Sequence, residues 1–146
     1  MSPAGDASDV LRLPHTAASV GTARRTIRRR LTALGVGRAL LDDVEVVVSE
    51  LLGNAVRHAR PIAGGAVLVA WRVTHTGVLV KVTDGGSSRR VESRGSGVLA
   101  ETGRGLRIVD GLAADWGVVD HLGGSRTVWA LLAAPRTGGG AGLYLV

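Results

Sequence analysis

The sequence has 146 residues, a length typical of one domain that buries a stable core without a metal or crosslinks. It contains no cysteine, which excludes disulfides, thiolate metal sites and cysteine nucleophiles. The net charge is +6, and every basic residue except Lys81 is an arginine, which indicates either an anionic partner or the codon usage of a GC-rich genome.

Signals for membranes and for single-stranded nucleic acid are weak. No apolar run reaches the ~18 residues that a spanning helix needs, and residues 1–9 lack the basic and apolar regions of a signal peptide. Phenylalanine is absent and Tyr144 is the one tyrosine, so a stacking surface for nucleic-acid bases is poorly supplied. We therefore expect a cytoplasmic protein that does not enter a membrane.

The chain is predicted to form one domain, at residues 10–134, between two tails. Residues 1–9 are small and polar and are expected to be disordered, and residues 135–146 form a Gly-rich tail. The first element of the domain is a short edge strand at residues 10–13, which Pro14 stops.

The first helix is predicted to begin at Thr16 or Ser19, either of which is a good N-cap. Apolar residues then recur at helical spacing on one face: Val20, Ala23, Ile27, Leu31 and Leu34. The opposite face carries Arg24, Arg25, Arg28, Arg29 and Arg30. This arginine face makes a DNA-binding protein one alternative, although no recognition motif accompanies it.

A second helix is predicted at residues 38–59, before a proline and a glycine pair that end it. Its core face comprises Val44, Val48, Leu51, Leu52, Ala55 and Ala59. At about 100° per residue, Glu50 and Asn54 fall on a second stripe, which Val46 and Val47 flank. Glu50 is therefore expected in a mostly nonpolar surround, an unusual place for a carboxylate.

The second half of the chain is predicted to be rich in strands. Two hairpins are expected, with strands at residues 66–73, 78–83, 115–120 and 126–133. Residues 87–102, between the hairpins, have no sustained period, and loops of that length are usually lids or binding loops. A third helix is predicted to start at Gly103-Arg104-Gly105.

Three polar patterns carry the candidate chemistry. Glu50 and Asn54 lie one turn apart, so a carboxylate and a carboxamide can reach one hard cation such as Mg²⁺. Asp84 ends a strand before two glycines, and Gly103 and Gly105 precede a helix whose free N–H groups can face phosphates. Taken singly, each pattern is more often an exposed helix face, an ordinary turn or a loop-to-helix junction.

The order and spacing of the patterns are more specific than any one of them. Four segments follow one another: Glu50-Leu51-Leu52-Gly53-Asn54-Ala55-Val56-Arg57-His58-Ala59, Val82-Thr83-Asp84-Gly85-Gly86, Gly103-Arg104-Gly105-Leu106-Arg107-Ile108-Val109 and Gly124-Ser125-Arg126-Thr127-Val128-Trp129. Together, over residues 11–132, they resemble the histidine-kinase-like ATPase (Bergerat-fold) superfamily, and most of all the small actinobacterial anti-sigma factor serine kinases. The resemblance implies an α/β fold, a two-layer α/β sandwich with a mixed, mostly antiparallel sheet and about three helices on one face.

The resemblance also implies roles for the matching residues. Asn54 would coordinate the Mg²⁺ that bridges the phosphates of ATP, and Glu50 would act as general base or orient the attacking group. Asp84 would accept a hydrogen bond from the adenine amino group, and Gly86 would let the backbone approach the base. Thr127 would support the adenine contact through a bound water.

The remaining matches concern the phosphates. Gly103 and Gly105 would form the hinge of an ATP lid whose amides, beside Leu106, face the phosphates. Arg104, or an arginine of the loop at residues 87–102, would add a guanidinium to the γ-phosphate.

Two positions at the ends of the pattern are less specific. His58 would be a packing residue at the helix end or a neighbour of the sugar and phosphates. Arg126 departs from the family, in which a lysine often precedes the threonine.

The function that the resemblance implies is that of an ATP-dependent protein serine kinase that regulates transcription by partner switching. Its partners would be a sigma factor and an anti-anti-sigma protein, with a homodimer as a further option and with no specific nucleic acid and no membrane. The alternative is a non-catalytic ATP-binding regulatory module that binds protein partners, and Glu50 alone does not separate the two.

Overall fold

A computed structural model describes residues 7–87 and 104–134 of the protein. Within this part the helices and strands are β1 (Ala7–Pro14), α1 (Ala18–Ala33), α2 (Arg38–His58), β2 (Ala66–Thr74), β3 (Gly77–Asp84), α3 (Arg104–Leu112), β4 (Asp115–Asp120) and β5 (Arg126–Ala133). The elements predicted from periodicity are therefore confirmed, including both hairpins. The predicted tail at 135–146, Gly103 and all of the predicted loop except Ser87 lie outside the described residues.

The five strands form one sheet in the order β1-β2-β3-β5-β4, and every neighbouring pair is antiparallel. The expected mixture with parallel pairs is thus wrong for the described strands. Two of the pairs are hairpins, β2–β3 and β4–β5, and hairpin strands are necessarily antiparallel. The three helices pack on one face, so the two-layer α/β sandwich is confirmed.

The core lies between the helices and alternate residues of the strands. β2 contributes Val67, Val69, Trp71 and Val73, and β3 contributes Val78, Val80 and Val82, all at most 3% exposed. The predicted apolar faces of the helices meet them, with Ile27 and Leu31 of α1 and Val44, Val48 and Leu52 of α2 completely buried. The two-residue period of the strands places their other side chains on the opposite face of the sheet.

The N-terminal boundaries differ from those expected. β1 begins at Ala7, so residues 7–9 belong to the sheet and not to a tail. The N-cap of α1 is Ala17, without a side-chain hydrogen bond, so neither Thr16 nor Ser19 caps the helix. Ser19 lies inside the first turn, where its hydroxyl donates to the carbonyl of Pro14 at 2.6 Å and ties the helix to the preceding strand.

The arginine face of α1 is partly engaged with its neighbours. The ion pairs that join it to α2 and β1 are Arg24–Glu45, Arg28–Asp42, Arg28–Glu45 and Arg30–Asp9. The guanidinium of Arg30 also lies 5.8 Å from the centre of the Trp71 ring, within the range of a cation–π contact. None of the described helices combines the length and the apolarity needed to cross a membrane.

Candidate functional site

The candidate site lies where the C-terminal end of α2 meets the ends of β3 and β5. Two backbone hydrogen bonds join these elements: Gly85 N–H donates to Arg60 C=O at 2.6 Å, and Arg60 N–H donates to Gly86 C=O at 3.0 Å. They hold the segment after α2 against the segment after β3. Side chains from the last turns of α2 therefore face the end of β3 across a fixed gap.

This gap is a pocket that opens to solvent and has a cavity volume of ≈ 60 Å³. Its apolar wall is formed by Leu51, Ala55, Val82, Leu106 and Val128. Its polar groups are Asn54, His58, Asp84, Ser87 and Arg126. A concave apolar surface with a few convergent polar groups is typical of a site for a small molecule or cofactor.

Asp84 is the buried carboxylate of the pocket, with only 5% of the residue exposed. Its Oδ1 accepts a hydrogen bond from the backbone N–H of Gly86 at 2.7 Å. Burial raises the pKa of Asp84 above its usual 3.8, and the Gly86 hydrogen bond and the nearby Arg126 charge oppose the rise. A carboxylate kept in such a place is suited to accept hydrogen bonds from a ligand.

Gly86 can only be a glycine here, for two separate reasons. Its φ is +82°, a conformation that side chains disfavour, and a Cβ would lie 2.2 Å from the carbonyl oxygen of Gly124. The close approach seen here is between the segment after β3 and the β4–β5 turn, while the approach of the Gly86 backbone to an adenine base stays a prediction. That contact closes one end of the pocket beside Asp84.

Asn54 supplies the amide of the pocket, and its two polar ends have different surroundings. Its Oδ1 accepts a hydrogen bond from Nη2 of Arg57 at 3.1 Å. Its Nδ2 is buried and has no partner among the described residues. An unsatisfied buried donor costs about 1–3 kcal/mol, and an acceptor atom of a ligand on that side would offset this cost.

Glu50 lies one helical turn before Asn54 but outside the pocket wall formed by the described residues. It is half-buried and lines the neighbouring groove between α1 and α2, together with Arg24, Arg28, Asp42, Glu45 and Ser49. The nonpolar surround expected for Glu50 is wrong. Val46 is 39% exposed, Val47 points into the core, and α1 brings arginines to the groove instead.

Thr127 is not brought to Asp84. Its hydroxyl lies 2.7 Å from that of Thr83 and 2.8 Å from Nε2 of His121, on the sheet face opposite to the helices. Arg126, one residue earlier, faces the pocket instead and is the register partner of Asp84. The expected support of the adenine contact by Thr127 is therefore wrong, and Arg126 is a pocket residue that the sequence comparison did not assign.

The other expected site residues lie at the two ends of the pocket. His58, the last residue of α2, is exposed and lines the opening. Leu106 is buried in the wall, near the start of α3, whose first residues are Arg104 and Gly105. The N-terminus of α3 thus lies at the rim, where its backbone N–H groups have no partner within the helix. Gly103 lies outside the described residues.

The pocket contains no protein-only cation site. Among residues 7–87 and 104–134 no three His, Asp or Glu side chains cluster as metal ligands. Mg²⁺ keeps several waters and is commonly bound by one or two protein oxygens together with substrate phosphates. Asn54 therefore fits a metal that arrives with a nucleotide, provided that its Oδ1 exchanges Arg57 for the metal.

An apolar pocket with a buried acceptor, an unsatisfied donor and a helix N-terminus at its rim is suited to a small ligand that carries phosphates. The chain belongs to the histidine kinase-like ATPase domain family, whose model matches residues 13–132. No curated protein matches the chain.

Among solved structures, the chain is similar to the crystal structure of the RsbU and RsbW domains of Rv1364c from Mycobacterium tuberculosis. The TM-score is 0.64 at 21% sequence identity, over 89% of this chain and 34% of the other. At that identity the likeness shows the fold. The chain spans about a third of the length of the protein that it matches.

Proposed function

We propose that this protein binds ATP with Mg²⁺ in the pocket between α2, β3, β5 and α3. The observation that carries the proposal is the presence of two groups in one apolar pocket: the buried acceptor of Asp84 and the unsatisfied donor of Asn54. Asp84 accepts a hydrogen bond from the amino group of adenine, while Asn54 and the first backbone N–H groups of α3 face the phosphates. Membership of the ATPase domain family supports this orientation.

We further propose that the bound ATP phosphorylates a serine of an anti-anti-sigma protein, and that the same chain holds a sigma factor when that protein is phosphorylated. This part rests on the four ordered motifs in the sequence. Phosphoryl transfer asks a protein mainly for positioning and for neutralisation of charge. Mg²⁺, when bound, supplies the charge neutralisation, and Asn54 is the residue that would hold it. Such a role places the protein in the cytoplasm.

Glu50 is proposed as the general base that takes the proton of the attacking serine hydroxyl. Its place on α2, one helical turn before Asn54 and in the lining of the groove between α1 and α2, supports this role. A partner serine that enters through this groove would meet Glu50 before it meets the nucleotide. The charged groove would then bind the partner as well as position its serine.

One observation favours the non-catalytic alternative. Glu50 lines the groove and not the pocket, and Arg24 and Arg28 lie on the same groove. A carboxylate whose neighbours are arginines can have a purely structural or partner-binding role. In that case the protein would be an ATP-binding regulatory module without phosphate transfer.

The test is a single-turnover assay with labelled ATP, Mg²⁺ and the anti-anti-sigma proteins of the same genome. We expect the parent to label one of them on a serine, and Glu50→Ala to bind ATP with nearly unchanged affinity but to transfer phosphate ~10²–10⁴-fold more slowly. Asp43→Ala is the matched control, because it removes a carboxylate of α2 that lines neither the pocket nor the groove, and it should transfer normally. Tight ATP binding without transfer to any partner would establish the regulatory module instead.

A further inference from the structure

A row of alternating charges crosses the pocket end of the sheet. Asp84 of β3, Arg126 of β5 and Asp120 of β4 are register partners on adjacent strands, with Arg126 in the middle. Val82 and Val128, two residues away on β3 and β5, line the pocket with Asp84 and Arg126. The row is therefore on the side of the sheet that the helices cover.

Arg126 is nearly as buried as Asp84, with 8% of the residue exposed. Its Nε donates to Oδ1 of Asp120 at 2.6 Å, although the side chain of Asp120 is 65% exposed. This bond fixes the plane of the guanidinium, which carries four more N–H groups on its two terminal nitrogens. A buried guanidinium beside a buried carboxylate presents the pocket with a donor next to an acceptor.

We propose that Arg126 recognises the base of the nucleotide by donating a hydrogen bond to N1 of adenine. N1 is next to the carbon that carries the amino group, which donates its own hydrogen bond to Asp84. The proposal rests on the ATP binding proposed above. Adenine has a donor at its amino group and an acceptor at N1, the complement of the Asp84–Arg126 pair. Guanine has the reverse order, an acceptor at O6 and a donor at N1–H. Its O6 would face the carboxylate of Asp84, and its N1–H would face the N–H groups of Arg126, so neither hydrogen bond could form.

A purely structural role for Arg126 makes a different prediction. If Arg126 only neutralises Asp84 or joins β4 to β5, its loss weakens the binding of every purine nucleotide by the same factor. If it donates to N1, its loss removes the difference between a nucleotide that has N1 and one that lacks it. The ratio of two affinities therefore separates base recognition from positioning.

The experiment is titration calorimetry of the full chain with ADP, 1-deaza-ADP and 7-deaza-ADP. We expect the parent to bind 1-deaza-ADP about 10- to 100-fold more weakly than ADP, since a hydrogen bond from a charged donor is lost. It should bind 7-deaza-ADP, which keeps N1 and the amino group, like ADP. Arg126→Met should bind ADP and 1-deaza-ADP equally, both weakly.

Arg38→Met is the matched control, because it removes one exposed arginine at the end of α2 that is remote from the pocket. It should keep the parent's ratio. Equal binding of ADP and 1-deaza-ADP by the parent overturns the proposal, and so does a ratio that survives in Arg126→Met. If Arg126→Met does not fold, as judged by circular dichroism, the parent's three affinities decide alone. A parent that binds no adenine nucleotide overturns the proposed function as well.

Discussion

Asp84 shows at the scale of one residue how a binding site costs stability. The carboxylate is buried, and its desolvation outweighs the help of the Gly86 amide and of Arg126. Asp84→Asn keeps an oxygen for the Gly86 N–H and removes the buried charge. We expect the variant to be more stable than the parent at neutral pH by thermal or urea unfolding, yet to bind ATP more weakly and without preference over GTP. A variant that is less stable and binds ATP normally would contradict the placement of the base.

The same carboxylate predicts a pH dependence. Because its folded pKa lies above the unfolded value near 3.8, the folded protein binds a proton more readily than the unfolded chain between these two values. The parent therefore gains stability at Asp84 as the pH falls through that window. The stability advantage of Asp84→Asn, measured by urea unfolding at several pH values, should be largest at neutral pH and shrink towards pH ~4. An advantage that grows in acid would exclude burial as the cause.

Asn54 makes the corresponding case on the phosphate side. Asn54→Ala removes the unsatisfied Nδ2 and places a good helix former in α2, so the unliganded protein should be at least as stable as the parent. Its affinity should fall strongly for ATP with Mg²⁺ and little for adenosine, which has no phosphates. Ser49→Ala, on the same helix, is the control. Equal losses for ATP and adenosine in calorimetry would place Asn54 at the base instead.

The sequence motifs depend on local spacing, and the structure brings several of the expected site residues to one pocket, while their roles toward a ligand stay predictions. Asn54 and Asp84 lie in the pocket as expected. Thr127 does not lie in the pocket, and the two-residue period of β5 predicts this. Val128, Ala130 and Leu132 are apolar and face the core, so Arg126 faces the core side as well and Thr127 faces the opposite side. Glu50 was misjudged for another reason, since helical spacing gives a face of α2 but not the side chains that α1 brings to it.

At the scale of elements, periodic segments were predictable and their ends were less so. α2 and the strands of both hairpins start and end within one residue of the prediction. The start of α1 was not predictable from capping preference, because Ser19 bonds backward to Pro14 instead of capping. The antiparallel pairs β1–β2 and β3–β5 join distant segments, so no local pattern determines them, whereas the antiparallel pairing of the two hairpins follows from their short connections.

The join between α2 and β3 gives a prediction at this scale. A Cβ at Gly85 would lie 2.2 Å from the carbonyl oxygen of Pro61, so Gly85→Ala must push the segment after α2 away from β3. We expect a loss of about 1–3 kcal/mol in the free energy of unfolding and weaker ATP binding. Gly111→Ala is the control, because Gly111 is in α3 with open space around its Cα, and it should stabilise by about 0.5–1 kcal/mol. If both variants behaved alike, the join would not position the pocket.

At the scale of the whole molecule, the number of arginines in the described residues overstates the positive surface that is free to bind a partner, because several of them are paired or buried. Arg24, Arg28 and Arg30 are in ion pairs with α2 and β1, and Arg126 is buried in the pocket. On the outer side of α1, Arg25 and Arg29 are exposed. The surface that a partner meets on α1 therefore depends on a few residues and not on the whole arginine face.

This distribution separates a protein partner from DNA. We expect a protein interface to which four arginines of α1 contribute: Arg24, Arg25, Arg28 and Arg29. Arg25→Gln and Arg29→Gln should weaken the binding of the protein partner without changing the affinity for ATP. Binding to duplex DNA should be weak and should fall steeply with salt, because it consists of phosphate contacts alone and each contact releases counterions. Fluorescence anisotropy at several salt concentrations, with two unrelated DNA sequences, measures this directly. Preference for one sequence that persists at physiological salt would show that α1 recognises DNA and would reverse the assignment of this face.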